Sequence, residues 1–213
     1  AHYVVMEAGT LIQCVPESRR AWHAGASWWG GVTDINSCSI GIEIANPGHD
    51  YGYPPFPAVQ IAAVIELSHG ILSRHRIPAR NVIAHSDIAP GRKEDPGELF
   101  PWKLLAQERI GVWIDARPSS GRSLAPGDQG GEVRALQLDL ASYGYGLDVT
   151  SEYDARTRDV VIAFQRHFRP ERVDGIDAHC RRIGMPRERG DGLPCRRGGG
   201  GAHSPGIKPA NGR

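Results

Sequence analysis

His85 and Asp95 bracket the stretch His85-Ser86-Asp87-Ile88-Ala89-Pro90-Gly91-Arg92-Lys93-Glu94-Asp95-Pro96-Gly97. Proline and glycine within it favour a loop that folds back on itself, and closing so short a loop adds little entropic cost. An imidazole and a carboxylate brought to one rim suit Zn²⁺, whose catalytic sites take N and O donors and keep a position open for water. Lys93 precedes Asp95 by two residues. Held beside a metal, its ammonium would stabilise the oxyanion of a tetrahedral intermediate. Glu43 supplies the remaining function, a carboxylate that takes a proton from water activated at neutral pH.

These side chains need elements to aim them. In Ser39–Ala45, Ile40, Ile42 and Ile44 alternate with Gly41, Glu43 and Ala45, so a strand buried on its isoleucine face must project Glu43 from the other. The small neighbours Gly41 and Ala45 would leave an open groove there. Tyr3–Met6 and Leu11–Val15 read as two strands joined by a hairpin turn. Ala58–Arg76 carries Ile61, Val64, Ile65, Ser68, Ile71 and Leu72 at helical spacing and should end before Pro78. Asn81–His85 reads as a short strand leading into the loop, and Lys103–Gln107 as a further helix. Residues 1–115 are therefore expected to be α/β, a mixed sheet flanked by helices. Residues 116–127, rich in Pro, Gly, Ser and Arg, read as a linker. Residues 128–177 read as a small all-α module. Val133, Leu136, Leu140 and Tyr143 lie on one helix, and a second runs over Asp154–Phe168, capped by Asp154 or Ser151. At about 50 residues the module is marginal for independent folding. Residues 178–213, dominated by Arg, Gly and Pro, are expected to be a disordered tail.

Trp22-His23-Ala24-Gly25, then Ser39-Ile40-Gly41-Ile42-Glu43, then the 85–97 loop followed by Leu99-Phe100-Pro101-Trp102, occur in one order. Over residues 1–113 the chain thereby resembles the zinc-dependent N-acetylmuramoyl-L-alanine amidases of the type 2 family. That resemblance implies hydrolysis of the amide between the lactyl group of N-acetylmuramic acid and L-alanine, in peptidoglycan or in muropeptides. Carried over position by position, it makes His85 and Asp95 zinc ligands, Glu43 the catalytic acid/base and Lys93 the stabiliser of the transition state. Trp22 and His23 would line or support the substrate groove, with Asn36 also belonging to it; Trp28 and Trp29 are further candidates to meet sugar and peptide. The family's first zinc ligand, a histidine on an early strand, falls upstream of Ala1-His2-Tyr3, and His2 aligns as a different histidine. Two ligands in place of three imply weakened zinc binding, so a non-catalytic peptidoglycan-binding protein is the alternative. Residues 130–145 and 154–165 resemble the helical peptidoglycan-binding domain found beside cell-wall hydrolases, and that resemblance implies that the module at 128–177 is incomplete.

Composition narrows the remaining classes. The 213 residues carry 25 basic and 24 acidic side chains, net +1, where a dedicated nucleic-acid binder shows a basic excess. A nucleic-acid role would rest on the basic tail alone. No run of about 18 apolar residues reads as a membrane span. The sequence opens without Met or a signal peptide, so a fragment or processed product is expected. The second module favours the cell envelope or periplasm, with the cytoplasm also open, and a monomer is expected. Cys14, Cys38, Cys180 and Cys195 form no C-x-x-C pair, which speaks against a cysteine zinc site. Cys14 and Cys38, in apolar contexts, read as buried free thiols, with a disulfide between them left open by the sequence.

Overall fold

A computed structural model describes residues 1–114 and 122–177. The expected tail at 178–213 and the first half of the expected linker, 116–121, lie outside the described residues. Strand β1 (Tyr3–Val5) pairs antiparallel with β2 (Leu11–Gln13) and parallel with β3 (Ile42–Ile44), giving the order β2-β1-β3. Ile42 and Ile44 pack against the core while Glu43, opposite Val4, faces solvent, as a period of two requires. Helix α1 (Ala58–Arg74) lays Ile61, Val64, Leu67 and Ile71 over the sheet. Gln60 on the same helix is fully buried, and its amide nitrogen donates to the carbonyls of Val5 (3.1 Å) and Ala45 (2.7 Å). The Val5 carbonyl also accepts the Ala45 N–H at 2.9 Å, so Gln60 reinforces that end of the ladder and supplies a donor to the Ala45 carbonyl just past it.

The segment before the loop differs from the expected strand. Ala79–Asn81 is a 3₁₀ turn, and His85 opens a helical turn, α2 (His85–Ile88). The cause is Asp87, whose carboxylate accepts the Ala84 N–H at 2.8 Å and so caps the turn in place of a ladder bond. After α3 (Trp102–Gln107) come α4 (Gly131–Tyr143) and α5 (Ala155–Phe168). Asp154 caps α5 by accepting the Thr157 N–H at 2.7 Å.

Two apolar cores result. One joins Tyr3 and Val5 to α1, Phe100, Trp102, Leu105 and Ile110. The other crosses the expected domain boundary, because Ala24, Trp29, Ile35, Ile88 and Ala89 pack with Val133, Leu136, Leu140, Tyr145, Val160, Phe164 and Phe168. Leu124, inside the expected linker, is buried in this second core and pairs with Asp177. The helices of residues 128–177 thus do not form a separate ball on a tether. They bury their apolar faces against the first half, which answers their marginal size.

Glu17 ties the strand layer to the end of α1. Its carboxylate accepts from Arg74 (2.6 Å), His75 (2.7 Å) and the Tyr3 hydroxyl (2.6 Å). The Arg74 hydrogen bonds, outweighing burial and aided by Tyr3 and His75, hold its pKa down to about 2 against an ordinary 4.5. A folded-state pKa below the unfolded value gives stability that is present above pH 4.5 and lost as the pH falls toward 2. Urea midpoints measured across that window should fall more steeply in the parent chain than in Glu17→Gln, which should be less stable at pH 7 and flatter in acid.

Candidate active site

Ser86 N–H donates to the Asp95 carbonyl at 3.0 Å, closing the loop on itself, and Lys93 N–H donates to Ala89 O at 3.0 Å. Closure sets His85 Nδ1 3.0 Å from Asp95 Oδ2. His85 Nε2 lies 3.1 Å from the carbonyl of Ala24, which also accepts from Arg92 at 2.8 Å. A carbonyl can only accept, so the ring proton belongs on Nε2, a tautomer inferred from its partner. A neutral imidazole then presents a lone pair on Nδ1 directly to a carboxylate oxygen. Two such groups repel unless a cation, a proton or a metal, lies with them. Burial pushes the Asp95 carboxyl up, but the His85 imidazole, with help from Lys93, holds it below its usual value. Asp95 is half-exposed and His85 mostly covered, so the pair sits on a rim open to solvent. Nitrogen and oxygen donors with the histidine's far nitrogen anchored to a backbone carbonyl are of the type zinc takes, though a catalytic zinc site takes three protein ligands and here two are brought together. Among the described residues no group of three His, Cys, Asp or Glu side chains assembles as a metal cage.

The other expected residues divide. A cleft of about 240 Å³ runs between Ile44, next to Glu43 on β3, and Glu94-Asp95-Pro96, floored by Asn46, His49 and Tyr53. Asp95 lines this cleft, but Glu43, which projects from the opposite face of β3 to Ile44, does not, and neither do His85 and Lys93. His23 supports this region from inside. Its Nδ1 lies 3.0 Å from Ala21 O and its Nε2 2.9 Å from the Ser39 hydroxyl. Burial, with His2 5.5 Å away ring to ring, lowers its pKa to about 4, so it is neutral at pH 7. The groove expected over Gly41 is filled at that point by this ring, since a Cβ there would stand 2.4 Å from it. His2 has both ring nitrogens engaged, Nε2 with Arg19 O and Nδ1 with the Gly41 N–H, each at 3.0 Å. It joins backbone segments and offers no free donor.

Asn36 requires correction. It is 5% exposed, and its side-chain oxygen accepts the N–H groups of both His23 (2.9 Å) and Ala24 (3.0 Å). It braces the Trp22–Gly25 segment from behind and does not line a groove. The tryptophans separate as well. Trp22 is 76% exposed, with the Arg20 guanidinium 4.0 Å over its ring, an amphipathic platform facing solvent. Trp29 is buried, edge-on to Tyr143 and Tyr145, so it belongs to the core and meets no ligand. Trp28 is partly exposed and lies against Gly146. Cys14 is a free and exposed thiol, not a buried one, and Cys38 is disulfide-bonded. Sequence reasoning passed over Arg92 and Asp87. Both lie in the 85–97 stretch, and their role shows only once the chain segments they bind, Ala24-Ala26 and α5, are folded beside it.

Comparison with known proteins bears on this geometry. Residues 1–98 match the family model for N-acetylmuramoyl-L-alanine amidase, and residues 129–176 that for a peptidoglycan binding domain. N-acetylmuramoyl-L-alanine amidase AmiD of Escherichia coli is 46% identical over 173 residues, 76% of this chain and 61% of AmiD. A 1,6-anhydro-N-acetylmuramyl-L-alanine amidase, AmpD of Enterobacter cloacae, is 38% identical over 102 residues, 48% of this chain and 52% of AmpD. The chain thus spans about half to three fifths of these curated relatives. The solved complex of AmiD with anhydro-N-acetylmuramic acid-L-Ala-D-γ-Glu-L-Lys superposes with a TM-score of 0.72 at 40% identity, covering 85% of this chain and 76% of that one. AmpDh3 of Pseudomonas aeruginosa, solved with anhydromuramic pentapeptide, gives 0.67 at 33% identity, covering 82% and 75%. The likeness to AmiD and AmpDh3 runs through both halves of the fold, as a shared core requires. With its α/β layer, its closed His85–Asp95 loop and the helical module behind it, the chain belongs to the N-acetylmuramoyl-L-alanine amidase family.

Proposed function

We propose that this chain carries the machinery for zinc-dependent hydrolysis of the amide joining N-acetylmuramic acid to L-alanine, with peptidoglycan or a muropeptide as substrate. The observation that carries the reading is the His85 Nδ1–Asp95 Oδ2 contact of 3.0 Å, with Nε2 anchored on Ala24 O. His85 and Asp95 would hold the ion. When bound, zinc polarises the scissile carbonyl and brings the pKa of water down to about 7. Glu43, on the solvent face of β3, takes the proton of the attacking water and returns it to the nitrogen of the departing L-alanine. Lys93, fixed by the loop's own hydrogen bonds, sets its ammonium against the negative charge that grows on the carbonyl oxygen. The exposed Trp22 ring, backed on one face by the Arg20 guanidinium that itself pairs with Asp34 at 3.0 Å, offers its other flat apolar face to a sugar. AmiD and AmpDh3 were solved in complex with anhydromuramyl peptides, which supports a soluble muropeptide as the first substrate to try.

A second reading, binding of peptidoglycan without cleavage, is favoured by the count of donors, since only two are brought together among the described residues. Zinc stoichiometry of the purified chain, measured with release of the free stem peptide from an anhydromuramyl peptide, separates the two. Stoichiometric zinc with peptide release supports hydrolysis; muropeptide binding without release defeats it. No helix among the described residues is long and apolar enough to cross a membrane.

A further inference from the structure

At the back of the His85–Asp95 loop lies a carboxylate that the proposed chemistry does not use. Asp87 is 0% exposed and accepts three hydrogen bonds: from Ala84 N–H (2.8 Å), from the Tyr145 hydroxyl (2.7 Å) and from His167 Nδ1 (2.8 Å). The first fixes the residue directly before His85. The other two donors come from the second module, Tyr145 from the turn after α4 and His167 from the last turn of α5. A carboxylate removed from water needs such donors, and losing one leaves lone pairs unsatisfied in the interior. His167 is itself locked. Its ring stacks on Trp102 at 4.0 Å and on Phe168 at 4.1 Å, and it is 1% exposed. Farther along the loop, Arg156 donates to Pro90 O at 3.0 Å and Arg166 to Glu94 at 2.8 Å. One helix of the second module therefore touches the loop in its first, middle and last thirds.

We propose that Tyr145 and His167 are positioning residues for His85, and that the peptidoglycan-binding-type module serves as the rear wall of the catalytic loop as well as a binding unit. They act through Asp87. With both donors in place the carboxylate stays turned toward Ala84 N–H, the first turn of α2 keeps its cap, and His85 enters that turn with Nδ1 toward Asp95 and Nε2 on Ala24 O. With a donor gone, the carboxylate gains by turning toward solvent or a substitute partner, and the cap on which the ring's aim depends loosens. Outer supports of this kind change metal affinity without touching the metal.

The inference rests on His85 and Asp95 as zinc donors, so its test has one readout that needs no zinc. In the full chain, Ser86 amide hydrogen exchange is compared with that of the slowest core amides, and zinc affinity is measured by chelator competition. Tyr145→Phe and His167→Leu should each speed Ser86 exchange relative to the core amides and weaken zinc binding about 10- to 100-fold. His167→Asn, which can place an amide N–H where Nδ1 stands, should recover most of both. Val133→Ala, a cavity in the same core away from Asp87, should lower overall stability and leave relative Ser86 exchange and zinc affinity as in the parent. Unchanged Ser86 protection in Tyr145→Phe, or an equal change in Val133→Ala, overturns the proposal. A parent chain that binds no zinc defeats the zinc reading alone, because Ser86 exchange still decides whether the module positions the loop.

Discussion

Asp95→Asn should abolish zinc binding at stoichiometric concentrations while leaving the chain folded, whereas Glu43→Gln should keep the zinc and lose turnover. The two substitutions each replace one carboxylate by its amide, so their contrast isolates what each carboxylate does. At position 95 the amide can donate to His85 Nδ1, now 3.0 Å from the carboxylate. The loop then closes without a cation, and the chain loses a donor and a charge together. Supporting groups alone are worth about 10- to 100-fold in metal affinity, so loss of a direct donor from a set of two should exceed about 100-fold. At position 43 the side chain faces solvent on β3 and has no structural bond to lose. Glu43→Gln should lower kcat by about 10²- to 10⁴-fold, the usual range for general acid–base catalysis, with KM and zinc content little changed. Zinc retained in Asp95→Asn would remove this carboxylate from the metal site; full turnover in Glu43→Gln would remove the proposed base.

The parts of this arrangement that a reader of the sequence can find are those written in local period. Ile40, Ile42 and Ile44 alternate, so Glu43 faces out; Ile61, Val64 and Ile71 recur at helical spacing, so α1 lies on the sheet. The loop is legible because its ends bond to each other within one stretch of chain. Other features depend on distant partners. Asn36 looks like a polar groove residue, but the N–H groups of His23 and Ala24 turn it inward. Asn81–His85 has strand-like composition, yet a cap supplied by Asp87 makes it end in a helical turn, and Asp87 is held by residues 145 and 167. Gly144 reads as a turn glycine and is also the notch for Trp29, whose ring lies 2.8 Å from where a Cβ would stand. Nothing in the local pattern around either residue announces the other.

That Trp29–Gly144 contact carries the largest expected effect on stability. Trp29 is 1% exposed, its indole N–H donates to Asn81 at 3.2 Å, and its ring meets Tyr143 at 5.6 Å and Tyr145 at 5.2 Å, both edge-on. The next residue, Gly30, donates its N–H to Gly144 O at 2.8 Å. Trp29→Ala empties a space shared by both halves, and a truncation of this size in a core costs about 3–5 kcal/mol. Domain stability is typically about 5–15 kcal/mol in all, so the variant should unfold at a much lower urea midpoint. How it unfolds matters as much as when. If the halves were separate domains, Trp29→Ala would destabilise only its own half and unfolding would split into two steps. Because Ala24, Trp29, Ile88 and Ala89 share a core with Leu140, Val160 and Phe164, the parent and the variant should each unfold in one step, with far-ultraviolet dichroism and tryptophan fluorescence moving together. Two separated transitions in the parent would show that the helical module stands on its own, and would take away the rigid backing on which the aim of His85 depends.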